Sequence, residues 1–350
     1  MARGIARASL PGLNKAVTIA GGGLAGLSLA AGLRTRGIPV TVHEAGSYPR
    51  HRVCGEFISG VDEATLGSLG IPDVLKDATP CSSVAWYREG RRIHDGHLPR
   101  PAAGISRYRL DRLLHDRAAS LGAEVIEQSR QPREVREGLV WAAGRIPARS
   151  RWIGLKLHFR HLAMDSDLEM HLGTNGYVGL ARIEDARVNV CGLFRVDRSL
   201  RGSGIDLLAS YLREGGNAAL AERLGTTDCD SSSFCAVAGF SLGRQKAEQH
   251  LCTIGDAESM IPPFTGNGMS MAFEAAELSL DPLERWSRQK IEWDTCLAEI
   301  RTRLQQRFRK RLGAAQALHP VLLSHGGRMF IESMARARIL PFRPLLALVR

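Results

Sequence analysis

The chain has 350 residues, 44% hydrophobic and 24% charged, which is enough for two domains or one composite domain with an ample core and is not the composition of a disordered chain. Its seven cysteines, Cys54, Cys81, Cys191, Cys229, Cys235, Cys252 and Cys296, are scattered without CxxC or Cys/His ligand spacing, which argues against a disulfide framework or a zinc site and fits a reducing cytoplasm. The net charge of +11 sits almost wholly in residues 301–350, where ten arginines and one lysine face one acid, Glu332.

In chain order, the first sixteen residues, MARGIARASLPGLNKA, carry arginines but no apolar stretch, so neither a signal peptide nor a membrane span is expected there. No run elsewhere approaches the roughly 18 apolar residues of a spanning helix. Residues 16–20, AVTIA, form the short β-branched run of a strand buried on both faces. GGGLAG follows at 21–26, then helical spacing in LSLAAGLRTRG, then a second apolar strand at 38–43 that ends on Glu44, eighteen residues past Gly26. This is a βαβ unit with a GxGxxG turn. Gly21 permits the tight turn, Gly23 lets backbone N–H groups approach a pyrophosphate, and Gly26 lets the helix pack close. Leu24 and Ala25 open the helix whose N-terminus would receive the phosphates. Glu44 would accept from the ribose hydroxyls of the adenosine half. The turn alone leaves FAD and NAD both open.

Residues 50–59, RHRVCGEFIS, follow the second strand. Cys54 reads either as a small buried hydrophobe or as a thiol beside a cofactor, and Glu56 either as a turn cap or as a proton donor and hydrogen-bond anchor. His43, His51 and His115 show no ligand spacing and read as structural. Residues 82–96 read as a hairpin, and 106–125, SRYRLDRLLHDRAASLGAEV, as a helix leading to a strand. From residue 151, IGLKLHFR, DLEMHLGTNGYVGLARI and RVNVCGLFRV alternate with period two and turn at Gly and Asn, as strands do. In the first of these Ile153, Leu155 and Leu157 take one face, and Lys156 and His158 the other, which is expected to meet solvent.

A second glycine turn lies far downstream. The strand 251–254, LCTI, runs into Gly255-Asp256, where a carboxylate at a strand end can bond a polyol. After Pro262-Pro263 comes Gly266-Asn267-Gly268, opening the helix MSMAFEAAELSL at Met269. From residue 281 a long amphipathic helix is expected, followed by another helix and an apolar tail. The arginines beside Ile339, Leu340, Leu345, Leu346 and Leu348 suit either a solvated helical face, an anionic membrane surface or an acidic carrier. Nucleic acid is not an expected partner, because the segment has no aromatic platform.

With these motifs in this order, the chain resembles the FAD-dependent oxidoreductases of the para-hydroxybenzoate hydroxylase fold, and within them the branch holding geranylgeranyl reductases and related hydroxylases. The resemblance spans residues 17–278. It implies an α/β fold, with a Rossmann-type (GR2-like) FAD-binding domain at 15–80, 101–150 and 246–282. An inserted antiparallel β-sheet substrate domain is implied at 81–100 and 151–245, and basic C-terminal helices at 283–350. It implies FAD held by Gly21, Gly23, Leu24, Ala25, Gly26, Glu44, Arg52, Arg107, Gly255, Asp256, Pro263, Gly266, Asn267, Gly268 and Met269, with Cys54 and Glu56 as catalytic candidates and no metal. NAD(P)H is implied as a transient electron donor. The implied activity is hydroxylation of an apolar or phenolic substrate through a flavin C4a-hydroperoxide, with hydride transfer to an isoprenoid C=C bond as the alternative; outside the resemblance, a plain NAD(P)-binding dehydrogenase would leave the motif at 255–276 unexplained. The implied setting is cytoplasmic or peripheral to a membrane, with a lipophilic or aromatic substrate, free or carrier-bound. Two departures stand out: the family's ADG element reads Ala142-Ala143-Gly144-Arg145 here, and Ser259 replaces a histidine frequent after GDAA. The WxWxIP signature of halogenases is absent.

Overall fold

The computed structural model describes residues 14–146, 148–246, 248 and 250–349. The expectation for the N-terminal stretch falls mainly on residues 1–13, which lie outside the described residues. Five short strands form a parallel sheet in the order Cys252–Thr253, Leu139–Trp141, Val17–Ala20, Val40–His43, Glu124–Ile126. The helix Leu24–Thr35 is buried without interruption from Leu24 to Leu33. It can be, because its sequence is leucine alternating with small residues and it lies between the sheet and the helices Arg107–Ser120 and Gly268–Ser287. Gly32 sets the closest approach: a Cβ there would come within 2.7 Å of Leu280 Cδ2.

The second sheet has eight strands in the order Cys229–Ala238, Trp152–Arg160, Arg187–Arg195, Gly176–Arg182, Leu168–Leu172, Thr79–Arg88, Arg91–Gly104, Phe57–Ile58. It is antiparallel except at one seam, where Thr79–Arg88 runs parallel to Leu168–Leu172. Parallel neighbours need a long crossover, and the chain supplies one by returning through the parallel sheet before it re-enters this one. The sheet is therefore mixed where the sequence reading expected it to be antiparallel.

Along Trp152–Arg160 the alternation appears as expected, but its polar face is not in water. Leu155, Leu157 and Phe159 pack on Leu208, Leu212 and Leu224 of the helices Gly204–Glu214 and Ala218–Gly225. Lys156 and His158 are fully buried on the opposite face, against the segment carrying His51 and Glu56. The expectation of solvent fails because this sheet is covered on both sides, by helices on one and by the parallel-sheet half on the other.

The C-terminal region also departs from expectation. The helix opened by the second glycine turn, Gly268–Ser287, continues through Pro282, and the chain breaks only at 288–292, where Gln289 takes a left-handed φ of 58°. The helices Trp293–Leu323, His325–Arg336 and Phe342–Leu348 follow. Part of the arginine excess is consumed internally: Arg311 and Arg307 bind Glu274 at 2.9 and 2.6 Å, and Arg303 binds Asp281 at 2.7 Å. No helix among the described residues is long and apolar enough to cross a membrane.

Candidate functional site

One cavity of about 1370 Å³ lies between the two sheets, and both glycine turns open onto it. Of the residues picked out in the sequence, Gly21, Gly23, Leu24, Ala25, Glu44, Arg52, Cys54, Arg107, Gly255, Asp256, Pro263, Gly266, Gly268 and Met269 line it, whereas Gly26, Glu56 and Asn267 stand behind the wall. The three central glycines divide their tasks. A Cβ on Gly26 would lie 2.0 Å from Gly21 O, so this residue serves close packing. Gly21 sits at φ +109° against the backbone of Ala142 and Ala143. A Cβ on Gly23 would point into open space, with nothing nearer than Arg107 Nη2 at 3.9 Å. That bare approach to helix N–H groups suits a phosphate.

Glu44 closes the adenosine-side wall. Its Oε2 accepts from Gly22 N at 2.9 Å and its Oε1 from Gly46 N at 2.9 Å, while Arg50 pairs with Oε1 at 2.8 Å. Burial opposes its charge, but these N–H donors with Arg52 and Arg50 hold the carboxyl below its usual range. Tyr48 stitches the same corner by donating its hydroxyl to Gly22 O at 2.5 Å.

Asp111, missed in the sequence, organises the two arginines that were named. Its carboxylate, fully buried on Arg107–Ser120, accepts from Arg107 Nε at 2.7 Å and Nη2 at 2.9 Å and from Arg52 Nε at 2.9 Å. Burial works against the Arg107 charge, yet Asp111 raises its pKa above the ordinary arginine value. The four-residue spacing of Arg107 and Asp111 on one helix was the available signal. Asp256 is exposed to the cavity, and desolvation by the surrounding walls raises its carboxyl, opposed by Arg107 and Arg145. Arg145, two residues past Ala143, lines the cavity and lies over the Phe240 ring, 4.7 Å from its centroid.

Three buried side chains behind the cavity wall, Glu56, Lys156 and His158, join His51 in the wall to form a chain of titratable groups. Glu56, at φ 55°, accepts from Arg107 N at 3.0 Å, meets His158 Nε2 at 2.5 Å and pairs with Lys156 Nζ at 3.4 Å. Burial alone would raise its carboxyl, but His158 and Lys156 hold it below the usual carboxylate range, which favours the anion over a stored proton. Lys156 Nζ also reaches His51 Nδ1 at 3.1 Å. His51 lines the cavity, stacked on Tyr108, and burial together with Lys156 lowers its pKa to about 4. A neutral His51 that accepts at Nδ1 carries its proton on Nε2, so a proton can pass from Lys156 Nζ through His51 toward the cavity, with the Glu56 carboxylate beside Lys156 as counter-charge. Cys54 stays a thiol: burial raises its pKa, although Arg107 favours the thiolate.

The far end of the cavity is apolar. Trp86, Tyr177, Phe264, Phe342, Leu345 and Leu346 line it, the last three from the C-terminal helix. Asn267 fastens that helix, donating through Nδ2 to Val349 O at 2.5 Å and to Thr265 O at 3.1 Å. His319 lies flat against Phe264, and burial lowers its pKa to about 4.

No protein-family model and no curated protein matches the chain in sequence. Solved structures match it in fold. A variant of HpxO from Klebsiella pneumoniae complexed with FAD aligns with a TM-score of 0.73 at 16% identity, over 96% of this chain and 99% of that one. A geranylgeranyl bacteriochlorophyll reductase-like protein from Thermoplasma acidophilum aligns with a TM-score of 0.73 at 15% identity, over 96% of each chain. PqsL from Pseudomonas aeruginosa, in complex with 2-aminobenzoylacetate, aligns with a TM-score of 0.66 at 16% identity, over 96% and 99%. The chain has the α/β fold of these proteins, a Rossmann-type domain joined to a curled mixed sheet.

Proposed function

We propose that this protein is an FAD-dependent oxidoreductase that hydroxylates an apolar aromatic substrate. The observation that carries the reading is the single cavity on which both glycine turns converge, with Glu44, Arg107 and Asp256 on one stretch of wall and an aromatic pocket at the other end. The residues present fit the cofactor: Gly23 leaves its missing Cβ's space to the cavity, and Asp256 faces that same space. In this reading Gly21, Gly23, Leu24 and Ala25 hold the diphosphate, Glu44 the ribose, and Asp256 with the turn at Gly266 and Gly268 the polyol and ring. When bound, FAD supplies two-electron transfer and activation of O₂. The protein's part is to orient the substrate among Trp86, Tyr177 and Phe264, and to keep water out of a pocket walled by apolar side chains.

The test is made on the purified protein. Its flavin is reduced photochemically without air, then mixed with oxygenated buffer in the presence of hydrophobic phenols. A transient blue-shifted absorbance band before the oxidised spectrum returns supports hydroxylation. A protein that takes up no flavin overturns the reading.

One feature favours a second reading, reduction of a C=C bond. That chemistry needs a proton beside the substrate, and the Glu56–Lys156–His51 chain ends at the cavity with a donor. Return of oxidised flavin with no transient, together with consumption of an isoprenoid double bond, would select it. Either substrate is lipophilic. Phe330, Ile339 and Leu348 are 61%, 64% and 57% exposed near the apolar end, with Arg338 and Arg343 among them, so collection from an anionic bilayer surface is part of this proposal. Failure of the protein to float with anionic liposomes removes that part.

A further inference from the structure

A second concavity, about 570 Å³, lies beside the main cavity and shares the Phe240 ring with it. Arg149, Arg151 and Arg198 line it, with Trp152 as an aromatic wall. Two basic stretches make it. Residues 145–151 read RIPARSR and 195–201 read RVDRSLR. Strand register sets them side by side, since Trp152 pairs with Arg195 and Val196 N donates to Arg151 O at 2.7 Å. The one carboxylate in the two stretches, Asp197, is engaged by Ser199 N at 2.8 Å and Ser199 Oγ at 2.6 Å and does not line the concavity. None of Arg149, Arg151 and Arg198 has a carboxylate partner among the described residues.

Exposed arginines are ordinary on a convex surface. Three converging on one concave site without a counter-charge repel one another, and such a site favours an anion carrying several oxygens. Guanidinium forks match phosphate bidentately, and Trp152, half-buried in the wall, leaves ring surface for a flat base. Arg195 already lies over Trp152, 5.9 Å from its centroid, and Arg145 continues the positive track over Phe240 into the main cavity.

We propose that this arginine groove binds the phosphates of an adenine nucleotide whose other end reaches the main cavity past Phe240 and Arg145. Two nucleotides share that chemistry: a reduced pyridine nucleotide, acting as electron donor, and coenzyme A, carrying a thioester substrate. The inference rests on the flavoenzyme reading only for what the bound nucleotide does. In the first case a hydride leaves the dihydronicotinamide, which becomes the oxidised pyridinium, and the two electrons and proton pass to oxidised flavin.

Binding is tested by calorimetry on the full chain with NADP⁺, NAD⁺, coenzyme A and inorganic pyrophosphate, for the wild type, for Arg151→Gln and for the triple variant Arg149→Gln, Arg151→Gln, Arg198→Gln. The expected loss is about tenfold per arginine removed, with flavin content and thermal midpoint unchanged. Binding of NADP⁺ coupled to bleaching at 450 nm by NADPH assigns the electron donor, and binding of coenzyme A alone assigns the carrier. Capture of pyrophosphate alone, no binding of any nucleotide, or equal affinity in the triple variant overturns the proposal. A protein without flavin that still binds NADP⁺ in the groove would sink the flavoenzyme reading and leave the groove standing.

Discussion

Glu56 and Lys156 meet at 3.4 Å with neither side chain exposed, and they come from opposite halves of the molecule. A buried pair of this kind is costly to break from one side, because the survivor is left as an unpaired buried charge. We expect Glu56→Gln and Lys156→Met each to lose about 3–5 kcal/mol of unfolding free energy. The double variant should lose clearly less than the two together, since it removes both charges at once. Urea midpoints with unchanged slopes check this. Strict additivity would mean that water reaches the pair.

Acid sensitivity should begin above the carboxylate range. His51 and His319 both have pKa lowered to about 4 by burial, with Lys156 a further cause at His51. The unfolded chain therefore binds protons at these sites as pH falls below about 6.5, where the folded chain does not. Stability is present in full above that pH and declines progressively down to about 4. Glu56, whose folded pKa is lowered, keeps its contribution above 4.5 and loses it only further down. Thermal midpoints between pH 7 and 4.5 should thus fall, and His319→Gln should flatten the slope. An unchanged slope in that variant would place the acid response elsewhere.

The glycine turn separates folding from binding. Gly26→Ala puts a methyl group 2.0 Å from Gly21 O and should destabilise the protein by several kcal/mol through forced backbone movement, on the order of 1–3 for overpacking and more where backbone must shift. Gly23→Ala meets only Arg107 Nη2 at 3.9 Å, so the apoprotein should unfold at the wild-type temperature while its flavin content drops. Equal flavin content in Gly23→Ala and wild type would move the diphosphate away from this turn.

What the sequence revealed and what it concealed follow from the range of the interactions. The βαβ unit was legible because strand, turn, helix and Glu44 lie within the twenty-nine residues 16–44, and the second turn because Gly255-Asp256 and Gly266-Asn267-Gly268 carry their geometry locally. The alternation of Lys156 and His158 was legible too, but which face meets water depends on what covers the sheet, and Glu56 lies a hundred residues away from Lys156. Asn267 was placed with the cofactor from its neighbours, whereas its side chain is engaged by Val349 at the other end of the chain. The parallel seam between Thr79–Arg88 and Leu168–Leu172 arises from a crossover that period-two patterning does not encode.

The bond from Asn267 Nδ2 to Val349 O, at 2.5 Å, makes the last helix a lid on the apolar end of the cavity. Phe342, Leu345 and Leu346 present their side chains to the cavity, while the helix Phe342–Leu348 itself has no buried residue. A helix with so little burial contributes little to global stability, and its attachment depends on Asn267, on Val349 buried behind it and on the contacts of Phe342 with Trp86 and His94. Removing residues 338–350 should therefore leave the unfolding midpoint nearly unchanged and retain the flavin, yet expose Trp86, Phe264 and Tyr177 to a fluorescent apolar probe such as anilinonaphthalene sulfonate. Asn267→Ala should give the same fluorescence increase in smaller measure, because one anchoring bond is lost while the apolar contacts stay. If truncation instead unfolds the whole protein, the helix belongs to the core and the lid description fails. If neither variant brightens the probe, the aromatic end is closed by other elements and the substrate enters by another route.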